Sequence, residues 1–297
     1  ASGQDLDGHR AWIPERRRRG IVSLMERLNN LDRRVIYLLA WIVVLTPLMN
    51  PMGLPIPISD DARTWHNFVE NEINDGDVVL FAPMYGVSGM PELFPMSVAT
   101  MKHIMTHDVK IVVVSFWTEG PLVFNQLLDQ VDPADYGYVY GEDWIRLGYV
   151  PGQETAMGSF ASNIHTTVTA DYVEGRSLST FSMMDDIQTG EDIDIIVSME
   201  TGTPGTPEWM RQFNAPFGTA QITGCIGVSV SGMIPYVQSG QLQALMPGLA
   251  TSGEYEILLQ DPGLAVAASD AISTSHIYVA LLVIVGNIAW FATREES

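Results

Sequence analysis

Two uncharged apolar stretches, one near each end of the chain, limit what this sequence can fold into more than any other feature. Residues 35–49 read VIYLLAWIVVLTPLM and residues 276–292 read HIYVALLVIVGNIAWFA. With its flanks each approaches the roughly 20 residues that cover the hydrocarbon core of a bilayer. Tyr37, Tyr278 and Trp290 are of the types that favour the membrane interface. The competing expectation for either stretch is a buried core helix, and for the first also a cleaved leader. No small-residue cleavage pattern follows Met49, which favours retention. The segment 50–57, NPMGLPIP, cannot continue a helix, because its prolines lack the donor and disfavour helical neighbours.

Charge placement orients these segments. Arg10, Arg16, Arg17, Arg18, Arg19, Arg27, Arg33 and Arg34 precede the first, whereas no Lys or Arg lies between Arg211 and Arg294. The positive-inside rule then predicts a cytoplasmic N-terminus, two crossings and a cytoplasmic C-terminus. The expected organisation is a basic amphipathic segment at 1–34, a transmembrane helix at 35–50, an extracytoplasmic domain at 51–275, a second transmembrane helix at 276–292 and a cytoplasmic tail at 293–297. Apolar residues recur at helical spacing in 21–31, so this stretch and the four-arginine run suit the inner membrane surface. A solvated topogenic charge cluster explains them equally well.

Composition removes other classes. The net charge of -20 and the near absence of lysine, present only as Lys102 and Lys110, argue against a nucleic-acid partner, since phosphate backbones are bound by clustered basic residues. The single cysteine, Cys225, excludes an intrachain disulfide and any multi-cysteine metal site.

Between the apolar ends, strand-length apolar runs alternate with amphipathic stretches, the pattern of βα units around a parallel sheet. Four units are legible: a strand at 77–82 and a helix at 91–107; 110–116 and 121–131; 194–199 and a helix opening at Pro207; 220–230 and a helix beyond SGMIP. A proline stands at or near each helix start, where its missing N–H has no cost. The fold expected is α/β, a Rossmann-like, largely parallel sheet flanked by the two transmembrane helices. Residues 135–176 leave strand, hairpin and helix open.

In such sheets ligands bind where loops leave the carboxyl ends of the strands. Those loops carry Tyr85, Ser88, Gly89, Trp117, Glu119, Glu200, Thr201, Gly202, Thr203, Ser229 and Ser231. They match no dinucleotide, phosphate-loop or nucleophile-elbow signature, and their glycines read as tight turns. No Arg or Lys is present there to balance a phosphate. Glu119 and Glu200 are candidates for a cation site or an acid/base pair, provided their strands are adjacent. His103 and His107 are four apart on one helix face, a spacing that suits a shared metal, although surface histidines account for them as well. His165 with Asp171 lacks a marked nucleophile, and Cys225 lies in an apolar run as a small core residue would. No cofactor is expected from these residues.

A set of short motifs resembles those of uncharacterised membrane-anchored proteins of bacteria and archaea: P-E-L at Pro91, Y-G-E-D-W at Tyr140, L-G-Y-V-P-G at Leu147, E-W at Glu208, S-G-Q-L at Ser239 and E-Y-E at Glu254. The resemblance implies a single anchored domain and transfers no catalytic residues. Gln241, Glu254 and Glu256 precede the second membrane segment on a stretch rich in Met, Leu and Gly. That stretch is expected to meet a second copy or another membrane subunit, or to be an ordinary amphipathic helix packed on its own sheet. A lipid bilayer and a homo-oligomer or larger membrane complex are thus the expected partners, and a structural or assembly role the first expectation. A hydrolase or small-ligand site at the strand ends is the alternative.

Overall fold

The computed structural model describes residues 32–294. Arg16, Arg17, Arg18, Arg19 and the amphipathic stretch 21–31 lie outside the described residues. In chain order the elements are helix α1 (Arg33–Met49), α2 (Asp60–Asn71), strand β1 (Val78–Met84), α3 (Met90–Ile104), β2 (Lys110–Ser115), α4 (Gly120–Leu128), β3 (Trp144–Tyr149), α5 (Gln153–Ser162), α6 (Ile164–Thr167) and β4 (Ile195–Glu200). There follow α7, made of Thr206–Trp209, a π turn at Met210–Asn214 and Ala215–Phe217, then β5 (Ala220–Cys225), α8 (Val230–Gln238), β6 (Ala244–Pro247), α9 (Gly248–Leu258) and α10 (Leu264–Arg294). The chain separates into two compact units, Pro51–Asp270 and a second drawn from Ala1–Asn50 and Ala271–Ser297.

The unit Pro51–Asp270 is a doubly wound α/β domain. Its six strands are all parallel, in the order β3-β2-β1-β4-β5-β6. Alternate residues of each strand enter separate cores. Val79, Phe81, Ile111, Val113, Ile195, Val197 and Ile222 pack under α2, α3, α4 and α9, while Leu80, Ala82, Val112, Val114, Ile145 and Ile196 pack under α5, α6 and α7. Burial on both faces explains why the strands read as unbroken apolar runs, since a parallel sheet has no solvated side. Pro91, Pro121 and Pro207 stand in the first turns of α3, α4 and α7. The fourth helix departs from the sequence expectation: β5 ends at Cys225, α8 begins at Val230, and Pro235 lies inside it.

The stretch 235–256 also differs from a single amphipathic helix. It holds the end of α8, the edge strand β6 and most of α9. Gly240 at φ 74° and Gly248 at φ 69° break the helix on either side of β6, in a backbone region that side chains disfavour.

In the second unit, α1 is capped by Asp32, whose carboxylate accepts the N–H of Arg34. The Tyr278 hydroxyl donates to the Ile36 carbonyl at 2.7 Å and the Thr274 hydroxyl to the Val43 carbonyl at 3.3 Å. As residue number rises along α1 it falls along α10, so the two segments pack antiparallel. Tyr37, Leu38, Trp41, Ile277, Leu281 and Val283 point outward and are exposed, the opposite of a helix buried in a soluble core. Among the described residues one helix, α10 over Leu264–Phe291, is long and apolar enough to cross a membrane. Its helix begins 12 residues before the apolar stretch at 276–292 read from the sequence. The expected first crossing is a helix of 17 residues and falls short of that length.

Candidate functional site

The order of the strands puts the topological switch point between β1 and β4, where the two connections leave the sheet in opposite directions. Met84 and Glu200 end these strands side by side in register. Each loop of this region is held by its neighbours. The Thr201 N–H donates to the Met84 carbonyl at 3.3 Å, and the Gly227 N–H to Glu92 Oε2 at 2.9 Å. The two glycines of the β1–α3 loop admit side chains rather than form left-handed turns. A Cβ on Gly86 would lie 1.5 Å from Glu119 Oε2, and one on Gly89 would lie 2.5 Å from Thr201 Cγ2. Glu119 and Thr201 therefore occupy the space over these two glycines.

Glu119 and Glu200 are not brought together on adjacent strands. Glu119 follows β2 and Glu200 ends β4, with β1 between them, so the strands are two spacings of about 4.8 Å apart. Glu119 is exposed. Glu200 is fully buried, and accepts hydrogen bonds from the Ser198 hydroxyl and the Thr206 N–H, both at 2.9 Å. Burial is the main cause that pushes its carboxyl up to about 7, against the two hydrogen bonds, and nearby Glu208 adds to the effect. The bonded pairs Thr206–Thr223 and Gln221–Thr223 extend a polar column beneath it. Cys225 closes the column as a buried thiol, pushed up to about 12 by burial and by Glu200. Arg146 on β3 is the basic residue missed at this edge. It is buried, lies 4.9 Å from the Tyr172 ring and 5.2 Å from the Phe124 ring, and donates to Asn125 Oδ1 at 2.6 Å.

The other residues singled out from the sequence have internal partners. His165 Nε2 lies 3.1 Å from the Met184 carbonyl, and Asp171 accepts the Tyr140 hydroxyl and the N–H groups of Val173, Glu174 and Arg176. Gln241 is exposed and accepts from Ser239. Glu254 turns inward, accepting the N–H and hydroxyl of Ser59 at the start of α2. Glu256 is buried and accepts the N–H groups of Gly263, Ala265 and Val266 at the start of α10. Helix starts leave unpaired N–H groups that attract a carboxylate, which accounts for both acidic residues facing the interior.

A second cluster lies between α2 and α3. His66 and Glu70 are four apart on α2, His103 is in the last turn of α3, and His107 lies beyond the end of that helix. His103 is buried; its Nε2 lies 2.8 Å from Glu70 Oε2 and its Nδ1 lies 2.7 Å from the Tyr255 hydroxyl. The His66 ring centroid is 5.1 Å from that of His103, and the His107 ring centroid is 6.0 Å away on its other flank. The ligand atoms of His66, Glu70 and His103 all lie within 4.8 Å of one another. The bond to His103 holds Glu70 below its ordinary range, while burial lowers His103. His107 Nε2 is buried without a hydrogen-bond partner. The histidine pair expected on one helix face is not formed as such, because the helix ends at Ile104 and leaves His107 in the turn beyond it, and the triplet that converges takes only His103 from the pair. No protein-family model and no curated protein matches the chain.

Proposed function

We propose that the chain is a membrane-anchored α/β module that works in assembly, joining copies of itself or other subunits of a membrane complex. The observation that carries this reading is the state of the strand-end edge. Glu119 and Thr201 pack over its two glycines, and its rim carries exposed apolar side chains. Val87, Leu122 and Val228, on the connections after β1, β2 and β5, are 60%, 53% and 85% exposed. Exposed apolar residues at the place where this fold ordinarily binds a small molecule suit contact with another protein. The antiparallel pair of α1 and α10 supports a two-pass anchor. The arginines before α1 favour a cytoplasmic N-terminus, which leaves the α/β unit on the outer side.

The test is the mass of the gently solubilised native particle, by native mass spectrometry in detergent. A multimer, or defined co-purifying subunits, is expected, with partial dissociation in the triple variant V87S/L122S/V228S. A monomer at all concentrations would overturn the proposal.

Glu200 favours a second reading, a small-ligand or hydrolytic site, because a fully buried carboxyl at a switch point is a group that can exchange a proton near neutral pH. A ligand that stabilises the native chain and not Glu200→Gln would select it.

A further inference from the structure

We infer that His66, Glu70 and His103 form a binding site for a single divalent transition-metal ion, with zinc the best-fitting occupant. The donor set is two imidazoles and one carboxylate, a combination that suits zinc and its neighbours and is poorly suited to magnesium or calcium, which prefer oxygen. Three protein ligands leave one tetrahedral position for water. The three ligand atoms already lie within 4.8 Å of one another, and the Glu70–His103 pair at 2.8 Å. Metal–ligand bonds of about 2.0–2.2 Å place tetrahedral donors about 3.3 Å apart, so the set has to draw in by at most about 1.5 Å from the 4.8 Å it already spans.

The surroundings hold the ligands as a metal site requires. His103 is 4% exposed and fixed at Nδ1 by the buried Tyr255 hydroxyl, which leaves Nε2 directed at Glu70. A metal-bound imidazole keeps its proton on the other nitrogen and donates it to an oriented partner. His103 would therefore exchange tautomers, from Nε2–H donating to Glu70 to Nδ1–H donating to the Tyr255 oxygen, with no net change in its proton count. Glu70 is 54% exposed and His66 half-buried, so the ion has a path from solvent. The bound ion would staple α2 to α3.

The experiment uses the full chain in detergent, free of any polyhistidine tag, stripped with chelator and titrated with zinc alone, cobalt alone or magnesium alone. The result expected is one zinc per chain by elemental analysis, a rise in Tm with zinc and none with magnesium, and the visible absorption of tetrahedral cobalt. His66→Ala and Glu70→Gln, which touch the exposed side and leave the core intact, should each weaken zinc binding at least about tenfold and remove the cobalt bands. Zinc uptake of less than one ion per chain, or undiminished uptake in both variants, would overturn the inference.

Discussion

The hydroxyl of Tyr255 lies 2.7 Å from Nδ1 of His103, and this contact ties α9 to the histidine cluster between α2 and α3. Tyr255 is fully buried and its ring stands edge-on to Trp65 of α2, with centroids 6.5 Å apart. The residues on either side act in the same way on other elements. Glu254 caps α2 through Ser59 and Glu256 caps α10. The E-Y-E triplet is therefore an internal joint in which three successive side chains fix three different helices.

Tyr255→Phe keeps the ring and removes only the hydroxyl. It leaves a buried imidazole nitrogen without a partner, and a loss of about 1–3 kcal/mol is expected in denaturant unfolding. The same variant should weaken zinc binding about 10- to 100-fold, as removal of an orienting partner does. Unchanged stability would show that His103 finds another partner or that water replaces the hydroxyl.

Glu256→Ala removes the acceptor for three backbone N–H groups at once, at distances of 2.8 to 3.0 Å. The expected effect is a loss of about 2–4 kcal/mol, with faster hydrogen exchange confined to residues 263–266. If exchange instead accelerates throughout α9, the carboxylate is holding α9 and not the start of α10.

The central strands were legible because a parallel sheet buried on both faces requires consecutive Val and Ile, as in VVLFA and KIVVVS. The edges were not. β3 carries Arg146 and Gly148 within WIRLGY, and β6 is four residues long and ends in Pro247, so neither reads as an unbroken apolar run. The site failed to emerge for a related reason. The spacing of His103 and His107 was visible, but His66 and Glu70, the residues that cluster with His103, lie on α2, a helix hidden behind the proline-rich linker. Ser59 followed by Asp60 and Asp61 was the available sign of its start, as a cap with acidic residues in the first turn. Glu200 ends β4 whereas Glu119 follows β2 at the start of α4, and only the strand order could show that β1 separates the two strands.

Two glycines at the strand ends should respond oppositely to alanine. A Cβ on Gly120 would lie 2.3 Å from the Pro83 carbonyl oxygen and 2.0 Å from Ser115 Oγ, atoms that cannot withdraw without disturbing β1 and β2. Gly120→Ala should cost about 1–3 kcal/mol. On Gly86 the obstacle is the end of the exposed Glu119 side chain, which can swing into solvent, so Gly86→Ala should fall within about 0.5 kcal/mol of the native chain. Equal losses in thermal or urea unfolding would contradict this account of the space over the two glycines.

Glu200 supplies a pH dependence with a definite sign. Its folded-state pKa is raised from 4.5 to about 7, chiefly by burial, so the folded chain binds this proton more tightly than the unfolded chain. Stability from the protonated carboxyl is present in full below about pH 4.5 and is lost as pH rises to about 7. At 1.36 kcal/mol per unit the change is about 3 kcal/mol in order of magnitude. Glu200→Gln imitates the protonated form, since its amide oxygen can accept the Thr206 N–H while its nitrogen donates to the Ser198 hydroxyl. The informative quantity is the stability of the native chain minus that of Glu200→Gln at each pH, which cancels the other titrating groups. That difference should become more unfavourable to the native chain from pH 4.5 to 7 and level off above it. A difference that stays constant with pH would mean that Glu200 is ionised in the folded domain across the whole range, and would leave the proton-exchanging reading of the switch point without support.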